Sequence, residues 1–197
     1  MTGPPDDDAA IISQSVEQPE LFGIVYDRYA ADIHRYATRR LGDSHADDLT
    51  AETFLVAFRA RQRYDTARRS ARPWLYGIAA HLIGKHRRGE VRALRALART
   101  GVDPVVESWA DSADSRVTAQ SAQASLAGAL AGLSPGDRHV LLLIAWADLS
   151  YQEIADALSI PLGTVRSRLN RARRKVRTAL GDNPLPLNDA VEAIRHG

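Results

Sequence analysis

The sequence predicts an all-α fold: two small helical domains joined by a flexible linker, the C-terminal one containing a helix-turn-helix. Three observations support this fold class. Apolar residues recur every three or four positions in both halves of the chain, which is the spacing of one helix face. No segment alternates apolar and polar residues as a half-buried strand does. Between the halves, residues 90–116 are rich in Ala, Arg, Ser and Asp and contain the breaker pair Asp103-Pro104, which is typical of a linker.

The composition narrows the class of protein further. The 197 residues are 45% apolar and 25% charged, which is a composition that can fold, and they include no cysteine. Disulfides, thiolate metal sites and cysteine nucleophiles are therefore excluded. The longest uninterrupted apolar run, Val140 to Ala147, is far shorter than the roughly 20 residues of a membrane span. We expect a cytoplasmic protein without membrane insertion.

The first domain is predicted over residues 19–89 and contains three helices. Residues 1–18 are rich in Pro, Asp, Ser and Gln, have little to bury, and are predicted to be a disordered acidic leader. A helix is predicted over residues 20–40 from the helical spacing of Leu21, Val25, Tyr29, Ile33 and Tyr36. Two acids near position 47 suit the positive end of a second helix, which ends near residue 61. Pro73 fits the first turn of a third helix, which ends near residue 88.

The second domain is predicted over residues 117–181 and is followed by a short tail, residues 182–197. The linker before it contains one short predicted helix, over residues 91–98. Within the second domain, a first apolar pattern runs from position 117 to position 133. Ser134 as an N-cap and Pro135 in the first turn then predict the start of the next helix.

The end of the second domain carries the helix-turn-helix pattern. Ser150 and Glu153 form a capping box that starts a helix of about two turns. Residues 159–161 break that helix, and a longer basic helix follows. Its predicted buried stripe consists of Val165, Leu169, Ala172, Val176 and Leu180. A short helix, a tight break and a longer helix are typical of a DNA-binding helix-turn-helix, in which the second helix is the recognition helix.

Basic charge is concentrated in two parts of the chain. The net charge is +6 over residues 21–89 and +4 over residues 121–181, whereas the connecting segments are acidic or neutral. Residues 166–177 hold seven basic residues and no acid. A stripe of one sign repels itself, and a nucleic acid partner is the simplest explanation. A solvated helix face is the alternative.

Enzyme chemistry has little support in the sequence. No two of the six histidines form an i, i+4 pair with a glutamate between them, and no glycine-rich loop follows a strand. Asp48 and Glu52 lie one turn apart on one helix face, but no third carboxylate or histidine converges on them. We expect a protein contact at these acids, and no enzyme activity, metal or cofactor. An ordinary helix-turn-helix regulator is the alternative, although three helices stand where such a protein would carry an upstream ligand or phosphoacceptor domain.

Two groups of side chains are candidates for nucleic acid contacts. Tyr64 lies in a polar stretch with three arginines, a mixture suited to phosphates and an unstacked base. Trp74 is interpreted as a core residue in preference to a stacking platform. On the last helix, the early side chains opposite the buried stripe suit base edges: Arg166, Ser167, Asn170 and Arg171. The later ones suit phosphates: Arg173, Arg174 and Arg177.

Three motifs in this order resemble those of the extracytoplasmic function (ECF) sigma factors, the two-domain initiation subunits of bacterial RNA polymerase. They are Ala-Asp-Asp-Leu-Thr-Ala-Glu-Thr-Phe at 46–54, Pro-Trp-Leu-Tyr-Gly-Ile-Ala at 73–79, and Leu-Ser-Tyr-Gln-Glu-Ile-Ala at 149–155 followed by Gly-Thr-Val-Arg-Ser-Arg at 163–168. The last motif alone is shared with other helix-turn-helix regulators. The resemblance covers residues 21–88 and 119–180.

The resemblance implies a role for each segment. The contacts to the clamp of the large subunit of core RNA polymerase are then Asp48, Leu49, Glu52 and Phe54. The residues that open the −10 promoter element and hold a flipped base are Tyr64, Arg68, Arg69, Arg72, Trp74, His81 and Lys85. Those that read the −35 element are Pro161, Gly163, Thr164, Arg166, Ser167, Asn170, Arg171 and Arg174. In this family the linker threads through the polymerase, and an anti-sigma factor usually masks both domains.

Two positions depart from the family pattern. Ala51 stands where relatives usually carry glutamine, which implies one polar contact fewer to the clamp. His81 stands where asparagine is frequent, which implies a different preferred base in the −10 element.

Overall fold

The computed structural model describes residues 7–100 and 124–180, and their regular secondary structure is helical throughout. The α-helices are α1 (Asp8–Gln14), α2 (Phe22–Leu41), α3 (Asp43–Ala60), α4 (Arg72–Lys85), α5 (Arg87–Thr100), α6 (124–131), α7 (Pro135–Ala147), α8 (Tyr151–Leu158) and α9 (Leu162–Leu180). Two 3₁₀ turns, Pro19–Leu21 and Arg61–Arg63, flank α2 and α3. The all-α prediction is confirmed. The predicted linker beyond residue 100, the start of the second domain and the tail lie outside the described residues.

The predicted disordered leader is wrong over α1. Ile11 and Ile12 are fully buried, and α1 contacts α2 and the turn Arg61–Arg63. Asp7 caps the helix by accepting a hydrogen bond from the backbone nitrogen of Ala9. The acidic composition of the segment predicted disorder, because the two isoleucines are buried only when a distant part of the chain covers them.

Helices α2, α3 and α4 form the first domain. Gly42 connects α2 to α3 with a φ of 84°, a conformation that glycine adopts without strain. The chain therefore reverses within one residue, and α3 begins at Asp43, four residues before the predicted start. Pro73 lies in the first turn of α4 as predicted, and α4 ends at Lys85. Tyr36 of α2 packs edge-to-face on Tyr76 of α4, with ring centroids 5.2 Å apart.

Helix α5 is longer than the predicted short helix and belongs to the core. Leu94 and Glu90 are each 1% exposed. Glu90 accepts hydrogen bonds from Arg40 of α2 and Arg138 of α7. The prediction that a linker begins at residue 90 is therefore wrong for the part of the linker that the structure describes. The partners of Glu90 lie about fifty residues away, so local composition could not identify them.

In the second domain, the helix caps and the break between α8 and α9 lie where the sequence predicts them. Ser134 accepts from the backbone nitrogen of Asp137 at 3.3 Å, and Ser150 with Glu153 forms a complete capping box. Ser159 ends α8 in a left-handed conformation, with a φ of 52°. The predicted buried stripe of α9 is confirmed by Val165, Leu169, Ala172 and Val176, which are buried, and by Leu180, which is partly buried against the core.

The two domains pack on each other over the described residues. Helix α8 crosses α4 so closely that a Cβ atom added at Gly77 would lie 2.3 Å from the carbonyl oxygen of Ala157. Only glycine fits this approach. Trp146 of α7 packs against Tyr36 of α2, with ring centroids 6.4 Å apart. The apolar cores of both domains join into one cluster.

Candidate nucleic-acid and polymerase interface

The exposed face of α3 carries the predicted acidic pair. Asp48 and Glu52 are both exposed, and Ala51 lies beside them. Leu49 and Phe54 are only 2% and 5% exposed, because they belong to the opposite face, which packs in the core. Their prediction as direct polymerase contacts is corrected: they hold α3 in place and do not reach the surface.

Two exposed apolar residues, one on the face of these acids and one beside Phe54, were missed by the sequence reasoning. Leu55 is 46% exposed and lies three residues after Glu52, hence on the same helix face. Tyr26 is 47% exposed, and its ring packs edge-to-face on Phe54 at 4.8 Å. Helical spacing from Asp48 could have identified Leu55. Tyr26 comes from α2, and only the packing of α2 on α3 brings it against Phe54.

The segment between α3 and α4, residues 61–71, is organised around Tyr64. Its hydroxyl donates to the carbonyl oxygens of Arg68 and Ser70, at 2.7 and 3.0 Å. Burial raises the pKa of Tyr64 well above its usual value, so the hydroxyl remains a donor. Its ring lies 4.8 Å from that of Trp74 and is 8% exposed. The expectation of a base contact by Tyr64 is therefore corrected for this arrangement: the side chain supports the segment from inside.

The arginines of this segment have different surroundings. Arg69 is largely exposed, with a side-chain fraction of 88%, and lies 3.6 Å from the Asp7 carboxylate. Arg68 pairs with Asp65 at 3.2 Å and lies 3.8 Å from Asp156 of α8. Arg72 is half-buried, with its guanidinium 5.7 Å from the ring centroid of Tyr76. All three arginines of the predicted −10 set therefore lie near other side chains, and Arg69 is the most exposed of them.

A cleft of about 620 Å³ joins most of the −10 candidates to the second domain. One wall comes from the first domain, including Tyr64, Arg68, Trp74, His81 and Lys85. The other wall comes from α8 and the residue after it: Asp156, Ala157 and Ser159. His81 and Lys85 are exposed, whereas Trp74 is half-buried. The interpretation of Trp74 as a core residue holds in part, since its ring packs on the core and also borders the cleft.

The recognition helix presents most of the predicted −35 residues to solvent. The exposed members of this set are Pro161, Gly163, Arg166, Ser167, Asn170, Arg171 and Arg174. Thr164 is half-buried, and its carbonyl accepts from the Ser167 hydroxyl at 3.0 Å. Basic and amide donors on the first turns of an exposed helix can pair with base edges in a major groove.

Arg171 has a partner that the sequence reasoning did not foresee. Its guanidinium lies 3.1 Å from the carboxylate of Asp137 at the start of α7. Burial alone would raise the pKa of Asp137, but hydrogen bonds from Arg171 and Ser134 outweigh it and keep that pKa below its usual value. The assignment of Arg171 to base reading is therefore weakened: its side chain is half exposed and ties α9 to α7.

Comparison with known proteins decides the family. Two family models match, "Sigma-70 region 2" over residues 25–104 and "Sigma-70, region 4" over residues 123–176. The ECF RNA polymerase sigma factor SigC of Mycobacterium tuberculosis is 32% identical over 177 residues, which cover 88% of this chain and 92% of that protein. The chain belongs to the ECF family of RNA polymerase sigma factors. The region 2 match of this ECF sigma factor includes α5, which agrees with the packing of that helix.

Further similar proteins support the same assignment. ECF sigma factor SigL of M. tuberculosis is 32% identical over 173 residues, 87% of this chain and 96% of that protein. The structure of CnrH in complex with the cytosolic domain of CnrY matches with a TM-score of 0.61 at 23% identity, over 89% of this chain and 97% of that one. The fold of this ECF sigma factor is thus that of solved structures that include the sigma factor RpoE of Bartonella quintana, with a TM-score of 0.51. Its family directs transcription from promoters.

The described part of the ECF sigma factor contains neither a helix long and apolar enough to cross a membrane nor a group of three or more potential ligands for a metal ion.

Proposed function

We propose that this ECF sigma factor, acting in the cytoplasm, binds the clamp of core RNA polymerase through α3, reads the −35 promoter element with α9, and opens the −10 element with residues 61–85. The observation that carries the proposal is the form of α9. One face is buried against α7 and α8, while its first turns expose arginine, serine and asparagine side chains at the end of a helix-turn-helix.

The surface of α3 supports the assignment of the polymerase contact. Asp48 and Glu52 stand on one exposed face together with Leu55. An apolar side chain beside acids suits a protein interface, which combines apolar and polar surface. No metal is needed to explain the two carboxylates.

The packing of α8 on α4 supports a requirement for the polymerase in promoter binding. Asp156 lies near Arg68, so a carboxylate stands where a DNA phosphate would have to approach. The backbone contact at Gly77 leaves no room for a duplex between the two helices. We propose that core polymerase separates the two domains and that the free chain binds promoter DNA weakly. CnrH and the RpoE of Bartonella quintana were solved with CnrY and with the anti-sigma factor NepR. By analogy, we propose that an anti-sigma factor also holds this chain in an inactive state.

Reconstituted transcription tests the proposal. Purified core RNA polymerase is incubated with the full chain and a randomised promoter library, and the transcripts are sequenced. The proposal expects defined start sites that share −35 and −10 elements and that are absent when the chain is omitted. Initiation that does not depend on the chain would contradict the proposal. Tight, sequence-specific duplex binding by the chain without polymerase would instead favour an ordinary helix-turn-helix regulator.

A further inference from the structure

Asp8 is a buried carboxylate that none of the assigned contacts uses. It lies in the first turn of α1 and is 2% exposed. Arg28 and Tyr29 of α2 donate to it at 2.8 and 2.6 Å. The third donor is the backbone nitrogen of Ala71, at 2.8 Å. A buried carboxylate with three donors is held in one orientation, because each hydrogen bond limits its rotation. Loss of one of these hydrogen bonds leaves a buried polar group unpaired.

Ala71 is the last residue before α4 and the end of the segment that carries the promoter candidates. Its own side chain cannot cap the helix, and the local acceptor is the uncharged hydroxyl of Ser70, 3.3 Å from the backbone nitrogen of Arg72. The carboxylate of Asp8 stands at this N-terminus, where a negative charge is favourable to the helix dipole. Asp8 therefore supplies from another helix the charge that a capping acid would supply locally.

The other end of the same segment is held by the other end of α1. Arg61 donates from its Nε to the carbonyl oxygen of Ser15, at 3.1 Å. Ser15 is the C-cap of α1, so one short helix contacts residues 61–71 at both their ends. Tyr64 fixes the middle through the carbonyl oxygens of residues 68 and 70.

We propose that Asp8 is a positioning residue for promoter recognition: it sets the conformation of residues 61–71 and thereby the base preference within the −10 element. This inference rests on the proposed function. Asp8 itself touches no DNA, and it acts through the backbone of Ala71. A residue that served only stability would change the amount of active protein, whereas a positioning residue changes which sequences are used.

The test uses the full chain in holoenzyme. Promoters selected by the wild-type holoenzyme are prepared with each alternative base in the −10 element, both as duplexes and with that element premelted. Transcription by Asp8→Asn is compared with wild type and with Glu17→Gln, which removes one negative charge from an exposed site nearby. Core affinity and the −35 preference are measured in parallel. Tyr29→Phe is a second variant, which keeps the ring and removes one donor to Asp8.

The expected result is a fall in discrimination of about tenfold at one or more −10 positions for Asp8→Asn, the factor that corresponds to one hydrogen bond to a charged group. Tyr29→Phe should show a smaller fall at the same positions, and Glu17→Gln none. The −35 preference and core affinity should not change. An equal loss on every template, or unchanged discrimination in both variants, would overturn the proposal. If Asp8→Asn does not fold, Tyr29→Phe decides. Absence of promoter-specific initiation by the wild-type holoenzyme would instead overturn the proposed function, and this inference with it.

Discussion

Replacing Glu90 by glutamine should destabilise both domains together. Glu90 accepts from the Nε of Arg40 at 2.6 Å and from the Nη1 of Arg138 at 2.7 Å. All three side chains are at most 1% exposed. Glutamine keeps the shape of glutamate but removes the only acid of this network, so two buried guanidinium groups lose their counter-charge.

The expected loss follows from the arrangement of the network. Breaking a buried ion pair by removing one partner costs about 3–5 kcal/mol. Arg138 also donates to the carbonyl oxygens of Leu130, Ala131 and Leu133, whereas Arg40 otherwise contacts Tyr36. The amide oxygen of glutamine could still accept from one arginine, but it supplies no negative charge. We therefore expect a loss of about 4 kcal/mol in the free energy of unfolding. For a chain of this size, that loss lowers Tm by about 10 °C.

Urea unfolding followed by circular dichroism measures this loss. The matched control is Asp47→Asn, which makes the same change of charge at an exposed carboxylate that is paired with His34 at the surface. We expect little change in that control, because exposed pairs contribute little. A Glu90→Gln variant within about 1 kcal/mol of wild type would refute the reasoning, since the network would then contribute no more than a surface pair.

Three further predictions concern the proposed surfaces. Replacing both Asp48 and Glu52 by lysine should weaken core polymerase binding by at least about tenfold. The helical content should not change, because both side chains lie on an exposed face. Unchanged affinity in a binding titration would contradict the proposed polymerase contact on α3. Arg166→Ala should reduce the binding free energy by about 1–3 kcal/mol on the preferred −35 element only, whereas Arg174→Ala should weaken binding to all sequences alike and lower the salt slope by about one. A randomised promoter library transcribed by each holoenzyme distinguishes the two effects. A −35 preference altered only by Arg174→Ala would show that the base-reading face of α9 is misplaced. Gly77→Ala should separate the domains, since its Cβ would lie 2.3 Å from a backbone oxygen of α8; small-angle X-ray scattering should show a larger radius of gyration, and an unchanged radius would contradict the close approach.

The elements that sequence reasoning predicted well are those whose signals are local. The caps at Ser134 and Ser150 and the break at Ser159 depend on neighbours within a few residues, and each stands in the structure as predicted. The stripe of α9 is equally local, because helical spacing alone defines which face is buried.

The helices that the sequence did not predict are stabilised by residues distant in the chain. Helix α1 is joined to the rest through Asp8 and Ala71, which are 63 residues apart in the chain, and α5 through Glu90 and Arg40, which are 50 apart. No local pattern predicts such pairs, so composition favoured a leader and a linker.

The candidate site also contains features that local sequence can predict and features that it cannot. The resemblance predicted a polymerase contact on α3, but the family motif there includes both exposed and buried positions. Leu49 and Phe54 belong to the core, while Leu55 reaches the surface. Helical spacing can separate these faces. The ion pair of Arg171 with Asp137 could not be predicted, because it requires the relative placement of α9 and α7.

Cleavage of promoter DNA from α9 and from α4 tests the proposed division of promoter recognition between the two domains. The chain has no cysteine, so single thiols introduced by Ser167→Cys on α9 and by His81→Cys on α4 would each be unique sites for an iron chelate that cleaves nearby DNA. In the complex of core polymerase, sigma factor and promoter, we expect cleavage at the −35 element from the first variant and at the −10 element from the second. Cleavage at the same place from both variants, or no more cleavage than with an unlabelled wild-type chain, would contradict it.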